Sequence, residues 1–213
     1  MGGLPGVFVT FEGVEGAGKT TQIARLRSTL EGAGLNVCVT REPGGDALGE
    51  SVRDLLLNTD VSARAELLLF LAARAQNVEQ IIRPHLANGG IVLCDRFIDS
   101  SVAYQGYARG LGATTVRRLN AFAVNGVVPD MTVLLDLAPE IGLARQTAHN
   151  RMEAQGLEFH RRVRQGFLTA AQNHPERFRV VNALEPVETI QEVISYLVHQ
   201  LLASRTHSRD ANP

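Results

Sequence analysis

At 213 residues, with 45% hydrophobic and 20% charged residues and a formal net charge of −1, the chain has the size and balance of one folded domain. That composition excludes a disordered chain and offers no general basic surface for nucleic acid, so positive charge that meets an anionic ligand has to be local. No apolar stretch nears the ~20 residues of a membrane span, the start Met1-Gly-Gly-Leu-Pro-Gly6 carries neither a signal-peptide core nor a myristoylation motif, and Cys38 and Cys94 inside apolar runs read as free, buried thiols of a cytoplasmic protein.

Val7 to Phe11 reads as a strand, followed by a glycine-rich turn and a helix from about Lys19 to Gly34. Asn36 to Thr40 is a second strand and Asp46 to Leu57 a helix. Ser62 opens a longer helix towards Leu86, in which Pro84 disturbs the last turn. Ile91 to Cys94 is a wholly apolar strand closed by Asp95, and Met131 to Leu137 and Phe178 to Val181 are the fourth and fifth strands. Helical patterns cover roughly Thr114 to Asn125, Pro139 to Thr147, Glu153 to Asn173 and Pro186 to Leu202, and the polar stretch Ser204 to Pro213 reads as a frayed tail. Apolar rather than alternating strands are covered on both faces. With helices between them, they imply a three-layer α/β sandwich around a mostly parallel five-stranded sheet, one domain over residues 1–203. Ligands of such sheets sit beyond the carboxyl ends of the strands.

The segment Gly13-Val-Glu-Gly-Ala-Gly-Lys-Thr20 satisfies G-x-x-x-x-G-K-[ST] between a strand and a helix. Its glycines let backbone N–H groups wrap around anionic oxygens, and the helix N-terminus adds a favourable dipole. Gly13, Val14, Glu15, Gly16, Ala17, Gly18, Lys19, Thr20 and the following Thr21 are the candidate ATP-binding residues. Lys19 supplies charge to the β- and γ-phosphates, and Thr20, with Asp95 at the end of the third strand, is the candidate ligand pair for Mg2+.

A phosphate loop alone does not name the phosphoryl acceptor. Thr40-Arg-Glu-Pro-Gly-Gly45 follows the second strand and Asp95-Arg-Phe-Ile-Asp-Ser-Ser-Val-Ala-Tyr-Gln-Gly106 the third, while Phe70 and Arg74 share one helix face. Together with Phe11-Glu-Gly13, these segments resemble bacterial thymidylate kinase from about Val7 to Leu202. The combination is specific, although no single motif is.

The resemblance implies a P-loop nucleoside monophosphate kinase that passes the γ-phosphoryl group of ATP to dTMP. In it Phe70 stacks on thymine, Arg74 donates to O4, and Ser101 or Gln105 accepts from N3–H. Tyr104 lies beside C2′, Glu15 accepts from the 3′-hydroxyl, and Arg96 grips the acceptor phosphate. Arg53, Glu42, Pro43 and Ser100 complete the acceptor set, and Glu42–Pro43 is a candidate cis bond. Without the resemblance, Phe70 reads as core, Arg74 as a surface arginine and Tyr104 as a half-buried tyrosine. The family's lid falls at about 142–153. The interior of the phosphate loop holds no arginine, so Arg145 and Arg151 are expected to complete the catalytic charge, with Glu153 orienting Arg151 or meeting the nucleotide sugar. Asn150-Arg-Met-Glu153 stands where the family commonly has Asp-Arg-x-Glu. A homodimer is implied, with no nucleic-acid or membrane partner. A kinase for another nucleoside monophosphate, or a nucleotide-binding regulatory module, are the competing readings that a panel of acceptors separates.

Overall fold

The computed structural model of the protein describes residues 5–145 and 155–210, with side chains through Arg205. Its five strands, β1 (Val7–Glu12), β2 (Val37–Arg41), β3 (Ile91–Asp95), β4 (Met131–Asp136) and β5 (Phe178–Asn182), form one sheet in the order β2-β3-β1-β4-β5. Every pairing is parallel. Phe11 and Arg41 both pair with Asp95, so β1, β2 and β3 end level and deliver their loops to one edge.

Residues alternate between sheet faces, which splits the apolar content of β1 into two cores. Val7, Val9 and Phe11 join the larger core with Leu26, Leu135 and Phe167, whereas Phe8 joins Val92, Cys94 and Phe97 on the other side. Glu12 falls on the Phe8 face and is buried there. Coverage on both faces holds for β1, β3 and β4. The edge strands leave Val39 and Val180 40% and 51% exposed.

The helices are α1 (Lys19–Gly32), α2 (Ala47–Asn58), α3 (Ala63–Asn77), α4 (Arg83–Ala87), α5 (Ile98–Ser101), α6 (Ala113–Val124), α7 (Pro139–Ala144), α8 (Leu157–Asn173) and α9 (Val187–Asp210). Asp46 caps α2 by accepting from Gly49 N at 2.6 Å, and Ser62 caps α3. The disturbance expected at Pro84 takes the form of a wide π turn over Val78–Ile82 that joins α3 to α4. Proline lacks an N–H and crowds the carbonyl four residues back, and the widened turn ahead of it absorbs both effects. A second π turn, Val102–Ala108, continues α5 and carries Arg109 N onto Tyr104 O at 2.8 Å. Helix α9 runs on past Leu202, the end suggested by the sequence, to Asp210. Arg205 pairs there with Asp130, whose other oxygen accepts from Phe8 N, so this part of the tail is tied to the sheet.

Candidate active site

The loop between β1 and α1 closes on itself. Lys19 is buried, and its ammonium donates to Gly13 O and Val14 O, each at 3.0 Å. Burial, and then the nearby charge of Arg96, lower its pKa to about 8. Val14 and Ala17 point into the larger core behind the loop, while Glu15, Gly16, Gly18, Thr20 and Thr21 border the cavity in front. Gly16 has φ +71, and a Cβ there would meet Gly142 O at 2.2 Å. Reciprocally, a Cβ on Gly142 would lie 2.2 Å from Glu15 O. Helix α7 therefore touches the loop backbone to backbone.

At the end of β3, Thr20 Oγ1 donates to Asp95 Oδ2 at 3.2 Å. Arg96 follows in the left-handed region at φ 69, a strained conformation for a residue with a Cβ. Its N–H donates to Phe11 O, and its guanidinium reaches Gly13 O at 3.1 Å, Ser100 Oγ at 3.2 Å and Glu15 Oε1 at 3.1 Å. Behind it lies Glu12, the middle residue of the Phe11-Glu-Gly13 segment. Its carboxyl accepts from Phe97 N at 2.8 Å and Ser100 N at 3.3 Å, and Ser100 Oγ donates at 2.6 Å. Burial and then the Asp99 charge raise its pKa to about 7. Strand alternation was the available signal, because Glu12 shares a face with Phe8.

Glu15 joins the phosphate loop to the rest of the cavity. Its Oε1 accepts from Arg96 and from the Tyr104 hydroxyl at 2.5 Å, and His160 Nδ1 lies 3.4 Å from Oε2. Burial opposes its charge, yet Arg96, His160 and Lys19 together hold its pKa well below the usual carboxylate range. The Arg96 guanidinium also stands 5.1 Å from the centre of the Tyr104 ring.

Arg74 is not the surface residue that its helix alone would suggest; it is only 1% exposed. It donates to Glu42 Oε2 at 2.7 Å, Ser101 Oγ at 2.9 Å, Asn120 Oδ1 at 2.5 Å and Phe97 O at 3.0 Å. Asn77 holds the other oxygen of Glu42 at 3.1 Å. Gln105 donates through Nε2 to Glu66 at 2.9 Å, and Glu66 is also paired with Arg109. Phe70 is half-buried beside Val52, Leu56 and Ala73. The Glu42–Pro43 bond is cis, and Arg53 donates to Pro43 O at 3.1 Å.

The loop residues and the acceptor candidates border one cavity of about 830 Å³, lined by Lys19, Thr20, Asp95 and Arg96 together with Phe70, Arg74, Ser101, Tyr104 and Gln105. Arg53, Glu42, Pro43 and Ser100 also face it. Arg145 lines it too and donates to Gly16 O at 3.1 Å. Arg151 and Glu153 lie outside the described residues.

A family model described as thymidylate kinase matches residues 11–194. The chain is 51% identical over 209 residues to a thymidylate kinase of Solidesulfovibrio magneticus, spanning 92% of this chain and 100% of that one. It is 47% identical over 209 residues to a thymidylate kinase of Nitratidesulfovibrio vulgaris (92% and 93% covered). A thymidylate kinase of Bacillus pumilus is 44% identical over 207 residues (93% and 98% covered).

Proposed function

The chain belongs to the thymidylate kinase family, and we propose the residue roles by which it transfers the γ-phosphoryl group of ATP to dTMP, giving dTDP and ADP. The observation that carries this reading is the shared cavity, where a phosphate loop and a base-sized polar pocket are walls of one space. Phosphoryl transfer requires alignment of donor and acceptor and neutralisation of charge on the moving group. The attacking oxygen belongs to the acceptor's own phosphate, an anion near neutral pH, so no protein base is needed to create it.

Lys19 exchanges its two loop carbonyls for the β- and γ-phosphates. Thr20 and Asp95, within 3.2 Å of each other, suit Mg2+, which takes one or two protein groups and fills its shell with phosphate oxygens and water. Bound there, the ion would offset charge on the phosphates. Arg96 holds the acceptor phosphate, and Glu15 accepts from the sugar 3′-hydroxyl.

Of the five N–H donors of Arg74, four are committed to Glu42, Ser101, Asn120 and Phe97. One Nη2 hydrogen is left for thymine O4, and a cytosine amino group there would oppose donor to donor. Ser101 Oγ already accepts from Arg74. Gln105, tied through Nε2 to Glu66, offers its Oε1 and is the better acceptor for N3–H. Phe70 stacks on the base and Tyr104 fills the space beside C2′. Arg145 and Arg151 supply the remaining positive charge; Arg151→Ala leaving kcat within a few-fold of the parent would remove Arg151 from the mechanism.

The enzyme is further proposed to be cytoplasmic, with its free Cys38 and Cys94, and homodimeric. Support for the dimer comes from Leu68 on α3 and Phe122 on α6, exposed at 60% and 89%, on helices that pack side by side. Sedimentation velocity tests it, and a monomer at micromolar concentration would exclude it. For the activity, ADP release is measured with Mg-ATP and dTMP, dUMP, dCMP, dGMP or UMP. Fast turnover of dTMP is expected; efficient use of a purine nucleotide with none of dTMP would overturn the reading.

A further inference from the structure

His160 is enclosed, 1% exposed, in the first turn of α8. Among the described residues neither of its ring nitrogens has a hydrogen-bond partner, and neither has Glu15 Oε2. These orphaned atoms are neighbours, with Nδ1 and Oε2 3.4 Å apart, within ion-pair reach but longer than a well-formed hydrogen bond. Buried polar atoms are rarely left unmatched without a reason.

Helix α8 cannot drift easily from this position. Gly166 lies against the π turn, where a Cβ would come within 3.0 Å of Ala103 Cα and 3.1 Å of the Tyr107 ring. The ring of Phe159, next to His160, meets Tyr104 edge to face at 6.2 Å, and the Arg109 guanidinium stands over it at 4.8 Å from the ring centre. The imidazole is thus fixed relative to the tyrosine that holds the other oxygen of Glu15.

A carboxylate has about four lone-pair sites. Arg96 and Tyr104 fill the two on Oε1. We propose that His160 is a positioning residue for Glu15: its Nδ1–H donates to Oε2 and fixes the plane of the carboxylate that the acceptor's 3′-hydroxyl meets. His160 touches neither nucleotide in this arrangement and acts through Glu15. The inference rests on the reading that Glu15 meets that hydroxyl.

The test compares kcat/KM for dTMP and for its 3′-deoxy analogue, first in the wild type. If the wild type does not distinguish them, Glu15 does not read the hydroxyl, and the inference fails with that reading. If it does, His160→Phe, which keeps the ring and removes both nitrogens, is expected to lower kcat/KM for dTMP by about tenfold, the size of one hydrogen bond to a charged group. The 3′-deoxy analogue is expected to stay within twofold, and His160→Asn, with an N–H near the Nδ1 position, to restore most of the ratio. An equal loss on both substrates, or no loss on either, would show His160 to be packing alone. The wild-type protein gives a readout independent of variant folding: 1H–15N correlation of the imidazole with dTMP bound should show Nδ1 protonated, and a ring protonated only at Nε2 would overturn the inference.

Discussion

Replacing Arg74 with alanine tests whether one side chain both reads the base and holds the acceptor pocket together. The substitution removes the partner of Glu42, and both side chains are almost wholly enclosed, at 1% and 2% exposure. It also takes a donor from Ser101, Asn120 and Phe97 O. Removing one member of a buried pair costs about 3–5 kcal/mol, because the other charge stays desolvated. At roughly 2–4 °C per kcal/mol for a protein of this size, Tm should fall by roughly 6–20 °C. Burial already raises the pKa of Glu42 against the opposing charge of Arg74, and without the guanidinium it rises further. A carboxyl with a raised folded pKa gives stability below its unfolded pKa and loses it as pH climbs, so Arg74→Ala should be less damaging at pH 5 than at pH 8. Urea unfolding at both pH values measures this, and a double-mutant cycle with Glu42→Gln isolates the pair. A loss below about 1 kcal/mol that adds simply to that of Glu42→Gln would refute the reasoning.

Three other outcomes are expected. Glu12 has its pKa raised from the ordinary 4.5 to about 7, so its contribution is full below about pH 4.5 and lost as pH rises through about 7. Glu12→Gln should therefore gain on the wild type by up to about 3 kcal/mol between pH 5 and pH 8, and parallel pH–stability curves would contradict it. Gly142→Ala forces a Cβ to within 2.2 Å of Glu15 O; thermal melts should show a loss of about 1–3 kcal/mol and assays a fall in kcat/KM of about tenfold or more, whereas Gly32→Ala, with open surroundings, should be neutral or stabilising. Asp95→Asn should raise the Mg2+ concentration for half-maximal rate by about tenfold or more at unchanged Tm, and a metal titration at fixed ATP that matches the wild type would exclude Asp95 as a ligand.

The inner strands and the phosphate loop were legible because each leaves a dense local signal: short apolar runs with β-branched residues in one case, glycine, lysine and threonine at fixed spacing in the other. Helix ends were blurrier, since periodicity fades where caps begin; Asp46 and Ser62 marked two starts well, while α9 outlasts its apolar pattern because Arg205 finds a distant partner. Contacts made across the fold leave no such trace. Nothing near Arg74 in sequence announces Glu42, Ser101 and Asn120 as its partners, and a histidine within a helical pattern gives no hint that it faces a carboxylate 145 positions earlier. Glu12 lay between these extremes, buried by an alternation that can be counted.

The π turn over Val102–Ala108 has a consequence for what kinds of sequence change this enzyme tolerates. A π turn is an α-helix carrying one surplus residue, and Tyr104 and Gln105 sit inside it while Ser101 precedes it. Removing any one residue between Tyr104 and Ala108 would return the segment to ordinary α geometry: the flanking backbone would keep its phase, and the wide turn that seats Tyr104 and Gln105 at the cavity would be lost. Arg109, the partner of Glu66, follows the turn and would keep its bearing. Substitutions here are graded events, each scaled to the atoms it changes. A single-codon deletion acts differently: the surrounding fold would absorb it, while the acceptor pocket would lose the local widening that aligns Tyr104 and Gln105.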